Sequence, residues 1–147
     1  MKIRKDFVAI GAAVTVLIVL LAVVGIKGGD TKVEFTQLEE AKIPQTIVTD
    51  VIPEYRGMER ALGCIVDKKV YVLVTRGEKP TSGFEVSIEK IELQSKDEKT
   101  NLIVYANFAD PPESGTVAQI ISYPLVVAKT DLAGLPDTIE LRIEYIE

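Results

Sequence analysis

Near the end of the chain Ile139, Leu141, Ile143 and Tyr145 alternate with Glu140, Arg142 and Glu144. A period of two places one set on each face of a strand. Residues 138–146 are therefore predicted as a half-buried strand with the four apolar side chains inward. The same alternation sets Phe84, Val86 and Ile88 against Glu85, Ser87 and Glu89, in a strand running to about Leu93. Residues 62–66 and 70–75 are short apolar runs flanking Asp67, Lys68 and Lys69, a polar break of hairpin length. A charged turn over 94–101 leads into a strand over 102–108. The pair Pro111 and Pro112 marks a loop over 109–115. A strand over 120–129 is interrupted at Pro124, which assigns it to an edge or a bulge. A turn over 131–137 precedes the final strand.

The pattern changes upstream of residue 60. Residues 33–35 are expected to form a first short strand. Thr36 and Glu39 have the spacing of a capping box, which predicts a short helix over 37–42. Pro44 suits the first turn of a second helix, in which Ile47, Val48, Val51, Ile52 and Tyr55 share one face. Pro53 falls inside that pattern and should kink or end the helix, with Gly57 as the other stop. The whole reads as an α+β, mainly β domain: a short helical segment, then an antiparallel sheet of about six strands.

One segment belongs to neither pattern. Residues 7–26, FVAIGAAVTVLIVLLAVVGI, contain no charge, and twenty helical residues span about 30 Å, the thickness of a bilayer's hydrocarbon core. Lys2, Arg4 and Lys5 against Asp6 place the basic flank in the cytoplasm. The predicted organisation is a cytoplasmic stub (1–6), a transmembrane signal anchor (7–26), a linker (27–32) and an extracytoplasmic domain (33–147). A cleaved secretory signal is the competing reading. Its apolar run would be long, and Val23-Val24-Gly25 is a poor cleavage site. Cys64 follows Ala61-Leu62-Gly63 as in a lipobox, but Asp50, Glu54, Arg56, Glu59 and Arg60 precede it, so it cannot directly follow the apolar run.

Charge and composition narrow the chemistry. The net charge is −5 and the first 26 residues contribute +2, which leaves −7 for residues 27–147. Such a surface repels nucleic acid. The chain has no histidine, no tryptophan and one cysteine, which removes histidine-based catalytic triads, histidine-ligated zinc, cysteine-rich metal sites and intrachain disulfides. No phosphate-binding glycine motif is present. Asp110 and Glu113 are the only acidic pair considered for calcium, and a solvent-facing loop is the simpler account of them. No catalytic residue, metal or cofactor is expected, and the chain is read as a non-enzyme.

The most distinctive stretch is YVLVTRGEKPTSGF (71–84), followed by Val86-Ser-Ile-Glu-Lys-Ile91. With the later Ser122-Tyr123-Pro124 and Leu125-Val126-Val127, it resembles the C-terminal domain of the protease complex subunit PrcB family over about residues 70–129. In that family a strand, a G-x-K-P-T-x-G-[YF] turn and a second strand are followed by an [ST]-Y-P element. Phe84 replaces the commoner tyrosine, and a helical anchor stands where the family's namesake carries a lipid. The resemblance implies an accessory module that stabilises or helps assemble a surface or secreted protease. The expected partners are thus the membrane, through one helix, and a protein, with a peptidase as the candidate class. The residues singled out for partner contact are Lys79, Pro80, Thr81, Ser82, Gly83, Phe84, Tyr123 and Pro124. More faintly, the 79–84 turn is similar to a loop of chagasin-like protease inhibitors, which gives inhibition through that loop as the alternative. Pro80 and Gly83 also make a competent tight turn that needs no function.

Overall fold

The structure, a computed structural model, describes residues 30–147. The stub, the membrane span and the start of the linker expected from the sequence lie outside the described residues. Among the described residues no helix is long and apolar enough to cross a membrane. Eight strands are present: β1 (Asp30–Val33), β2 (Phe35–Gln37), β3 (Glu59–Val66), β4 (Lys69–Arg76), β5 (Glu85–Lys96), β6 (Lys99–Ala109), β7 (Leu125–Thr130) and β8 (Thr138–Ile146). They form two four-stranded sheets, ordered β1-β5-β6-β8 and β2-β7-β4-β3. The single antiparallel sheet of about six strands is corrected on both counts, because β8 runs parallel to β6, with Asn101 opposite Thr138 and Phe108 opposite Tyr145.

The chain divides into two compact units, of which the first is described over residues 30–31 and 94–100. There Asp97 and Glu98 both adopt positive φ, 53° and 65°, as a two-residue type I′ hairpin turn requires. The eight-residue turn expected at 94–101 is therefore only two residues long.

The second unit, Lys32–Leu93 and Asn101–Glu147, holds the core. Val72 and Val74 of β4 pack with Leu102, Val104, Ala106 and Phe108 of β6 between the sheets. The alternate residues Tyr71 and Leu73 pack with Ile47 and Val127 beneath the helical segment. Strand β4 is thus covered on both faces, which accounts for its unbroken apolar run. The Asp67 and Lys68 turn, φ 51° and 66°, repeats the I′ geometry. Along β5 the inward phase slips: Ile88 and then Ile91 reach the core, while Glu89 and Lys90 between them are both exposed. Two consecutive outward residues are the signature of a one-residue bulge.

Two local expectations fail, and the second helix is met over residues 45–55 with altered geometry, each for an identifiable reason. Thr36 and Gln37 lie in β2, paired with Lys129 and Ala128, so the capping box does not form. Only a 3-10 turn, Glu40–Lys42, follows it. The second helix is a π-helical turn, Ile47–Val51, running into α1 (Ile52–Tyr55). Ile52 N–H bonds to the Ile47 carbonyl, and the extra residue accommodates Pro53, which has no amide and crowds the preceding turn, in the last turn of the helical run that stops before Gly57. Strand β7 begins at Leu125, after Pro124, and residues 120–124 belong to a loop. Tyr145 keeps the inward phase, edge-on to Phe108 with ring centroids 5.8 Å apart, but it remains 63% exposed at the open end of the sheets.

On the outer face, Asn101 and Tyr105 of β6 lie beside Glu140 and Arg142 of β8. The Glu140 carboxylate accepts hydrogen bonds from Arg142 (2.7 Å) and Asn101 (3.3 Å), and these hold its pKa below the ordinary value of 4.5, Arg142 making the larger contribution. A lowered carboxyl pKa stabilises the fold above the ordinary value, and that stabilisation is lost as pH falls through the folded value. Glu140→Gln is therefore expected to lower the melting temperature slightly at pH 7, the difference from the parent vanishing in strong acid. A constant difference across pH would show that the charge plays no part.

Candidate functional site

Strand β4 delivers its last residue, Arg76, into the core. The Arg76 side chain is 3% exposed. Its guanidinium lies 4.8 Å from the Phe108 ring, 5.0 Å from Phe84 and 5.7 Å from Tyr145. One terminal nitrogen donates to the carbonyls of Ala109 (3.0 Å) and Glu85 (3.4 Å); the other is ion-paired with the Asp110 carboxylate, which is itself 60% exposed. Arg76 so ties the end of β4 to the start of β5 and the end of β6. Asp110, considered from the sequence as a calcium ligand, is the counter-ion of this arginine. Among the described residues no group of three or more acidic or thiol side chains is placed to hold a metal ion.

The chain leaves Arg76 through Gly77 into the 78–84 loop, which is stapled to the loop before β7. Lys79 and Ser122 exchange two backbone hydrogen bonds of 2.9 Å each. Ser82 N–H donates to the Ala118 carbonyl (3.0 Å) and Ser82 Oγ accepts from the Ala118 amide (2.8 Å). Ser122 Oγ donates to the Thr81 carbonyl (2.7 Å), and the Thr81 hydroxyl donates to the Ser82 carbonyl (3.0 Å). At Gly83 the backbone has φ +98°. The two segments singled out in the sequence, some forty residues apart, thus form one body. Phe84, expected as the first inward residue of a strand, precedes β5 and covers Arg76 instead.

Of the residues predicted to meet a partner, Pro80 and Gly83 are exposed, and Lys79, Thr81, Ser82, Phe84, Tyr123 and Pro124 are half-buried. The hydroxyls of Thr81 and Ser82 are spent within the staple. Tyr123 donates its hydroxyl to Glu78 (3.2 Å) and stacks under the Arg56 guanidinium at 4.2 Å. The Pro124 carbonyl accepts from Arg76 N–H (3.0 Å). Tyr123 and Pro124 also line a groove of about 670 Å³ beside the helical segment.

Arg76, its polar partners and both stapled loops fall within one stretch of chain, while Arg56, Tyr145 and the helical wall of the groove lie outside it. Residues 70–131 match the PrcB C-terminal family. The expected resemblance over 70–129 holds, and the match extends two residues further. No curated protein and no solved structure matches the chain. The PrcB-type stretch contains Arg76, its three carbonyl and carboxylate partners and both stapled loops. The helical segment, β1, β2, β3 and β8 lie outside it.

Three residues of this site, Arg76, Ile120 and Ile121, were not among those expected from the sequence. Arg76 carried a signal, since a lone charge closing an apolar strand must be paired if it is buried. Ile120 and Ile121 carried another: two adjacent β-branched residues cannot both face the core of one strand. They are 62% and 58% exposed on the loop that receives the staple.

Proposed function

We propose that this chain is a non-enzymatic accessory module of a protease complex. In this reading the 7–26 helix anchors it in the cell membrane, residues 33–147 lie outside, and the stapled loops meet a peptidase or another subunit of its assembly. The PrcB C-terminal match supports the association with a protease complex, and the uncharged 7–26 run with its basic flank supports the anchor. The single observation that carries the contact surface is the exposed pair Ile120 and Ile121, held in a loop pair fixed by five backbone and side-chain bonds of 2.7–3.0 Å. Exposed large apolar groups in a rigid frame bury area on binding at little ordering cost.

The test is capture of partners from the native membrane by the full-length chain, followed by peptidase assay of what is captured. An Ile120→Asp, Ile121→Asp double variant is expected to retain at most about a tenth of the captured peptidase, with an unchanged melting temperature. The wild-type chain should prolong the lifetime of that peptidase without lowering its turnover. Lowered turnover would make the chain an inhibitor, and capture unaffected by the double variant would remove the surface. The anchor is tested separately: the chain should resist alkaline extraction, while external protease digests residues 33–147 in intact cells.

A further inference from the structure

Strand β2 is too short for its neighbour. It pairs with only three residues of β7, Thr130, Lys129 and Ala128, and one further bond runs from Leu38 N–H to the Val127 carbonyl at 2.8 Å. The chain then turns away into the 3-10 turn at Glu40–Lys42. On its other side β7 is fully occupied. Val126 and Ala128 lie opposite Val74 and Val72 of β4, and the Pro124 carbonyl takes the Arg76 amide. Backbone groups alternate sides along a strand. The amide and carbonyl of Leu125 therefore face the side that β2 has vacated, and those of Tyr123, just before β7, do the same because its neighbours Ser122 and Pro124 bond to Lys79 and Arg76 on the β4 side; no backbone partner among the described residues meets them. The missing amide of Pro124 falls on the β4 side, so the proline removes nothing from the open edge.

The groove lies along this edge. It is floored by the β7 backbone and walled by Leu38, Ile43, Val48 and Ile52 on one side of the sheet and Val86 on the other. Its volume, about 670 Å³, is within the roughly 300–1,000 Å³ range of ligand clefts. Apolar walls alone would suit many occupants, but two backbone donor–acceptor sites spaced two residues apart suit an extended polypeptide. Glu40 is the one carboxylate on the wall, and it favours a cationic side chain at the end of that segment.

We infer that the open edge of β7 at Tyr123 and Leu125 is a docking site for an extended, apolar segment of a partner protein bearing a Lys or Arg, added as a strand in line with β2. This deepens the accessory-module reading and rests on it only for the existence of a protein partner. Main-chain bonds to Tyr123 and Leu125 hold the segment, and alternate side chains enter the groove.

The test uses the full-length chain in nanodiscs and, as probe, a phage-displayed library of random heptapeptides whose selected members are resynthesised. Selected peptides should carry apolar residues at alternate positions and a cationic residue at one end. Two variants separate groove from fold. Val48→Trp fills the groove from its exposed rim, and Leu125→Pro deletes the open-side amide while sparing every bond to β4. Each should weaken the peptides about tenfold or more. Val48→Trp should leave the melting temperature unchanged. Leu125→Pro, which also loses packing against Leu73 and Val127, is compared with Leu125→Ala, which loses that packing but keeps the amide and should bind more tightly than Leu125→Pro. N-methylation at alternate peptide amides should do the same, and at the intervening amides should do nothing. The inference is overturned by a selection that yields no binder, or by binders indifferent to both variants. Displacement by lauric acid with no peptide preference would make the groove an apolar-ligand pocket, and self-association abolished by Leu125→Pro would make the occupant a second copy; either outcome also overturns it. Native capture lost in the Ile120→Asp, Ile121→Asp variant but retained in Val48→Trp and Leu125→Pro keeps the accessory reading and removes this one. Peptide binding without any native capture does the reverse.

Discussion

Arg76→Ala is expected to lower the unfolding free energy of the domain by about 3 kcal/mol, read as a shift in the urea midpoint at constant slope. Three losses add. The Ala109 and Glu85 carbonyls lose their shared donor. The Phe84, Phe108 and Tyr145 rings lose the planar group packed among them, which leaves a cavity. The Asp110 carboxylate loses its counter-ion. The last loss is the smallest, because Asp110 is 60% exposed and water replaces the arginine there. Asp110→Asn leaves the buried Arg76 charge without its counter-ion but keeps an amide acceptor and both carbonyls, so it should cost about 1–2 kcal/mol. Arg76→Met, which keeps the packing without the donors, should cost less than Arg76→Ala. Equal costs for Arg76→Ala and Asp110→Asn would assign the effect to the ion pair and refute this apportionment.

Gly83→Ala is the second large effect. At φ +98° a side chain is strained wherever it points, and a β-carbon here would stand 2.8 Å from Pro111 Cβ and 2.9 Å from Val117 Cγ1. The proline ring cannot yield, so backbone strain and overpacking combine to about 3 kcal/mol or more. Because Val117 begins the loop that receives the staple, the loss should be local first: faster amide exchange at Ser82 and Ala118 before global unfolding. Gly57 is the control, since a β-carbon there meets nothing within 4 Å. Gly57→Ala should be neutral or slightly stabilising, since it restricts the unfolded chain without strain; a cost there equal to that of Gly83→Ala would mean that the close approach is not the cause.

The legible parts of this fold were those fixed by local pattern. β8 lies where alternation placed it, Thr138–Ile146, and the β3–β4 hairpin turns at Asp67 and Lys68 as its polar break required. What period-two counting could not reveal was pairing at a distance. Nothing in the residues around Ile143 says that its neighbour is Ala106 in parallel rather than a hairpin partner. Thr36 and Glu39 carry a helix-start signal, but a waiting edge at Lys129 outweighs one capping interaction. The candidate site divides in the same way. Its loop was visible as a motif, and the joining of Lys79 to Ser122 was not, because a backbone bridge leaves no trace in side-chain identity. Arg76 was legible in principle: one charge at the end of a run of buried residues needs a partner, and Asp110 supplies it.

The parallel pairing of β8 with β6 also orders events in time. The β3–β4 and β5–β6 hairpins each close through two residues of positive φ, so their contacts are local and form early. β8 must find Asn101 from Thr138, 37 positions away, after the chain has crossed into the other sheet as β7. During synthesis, which proceeds from the N-terminus, the outer edge of β6 waits with its backbone unpaired until the last strand emerges. That interval is when this chain is most exposed to pairing with another copy of itself, and any factor that shields a nascent strand would act on β6 before anything else.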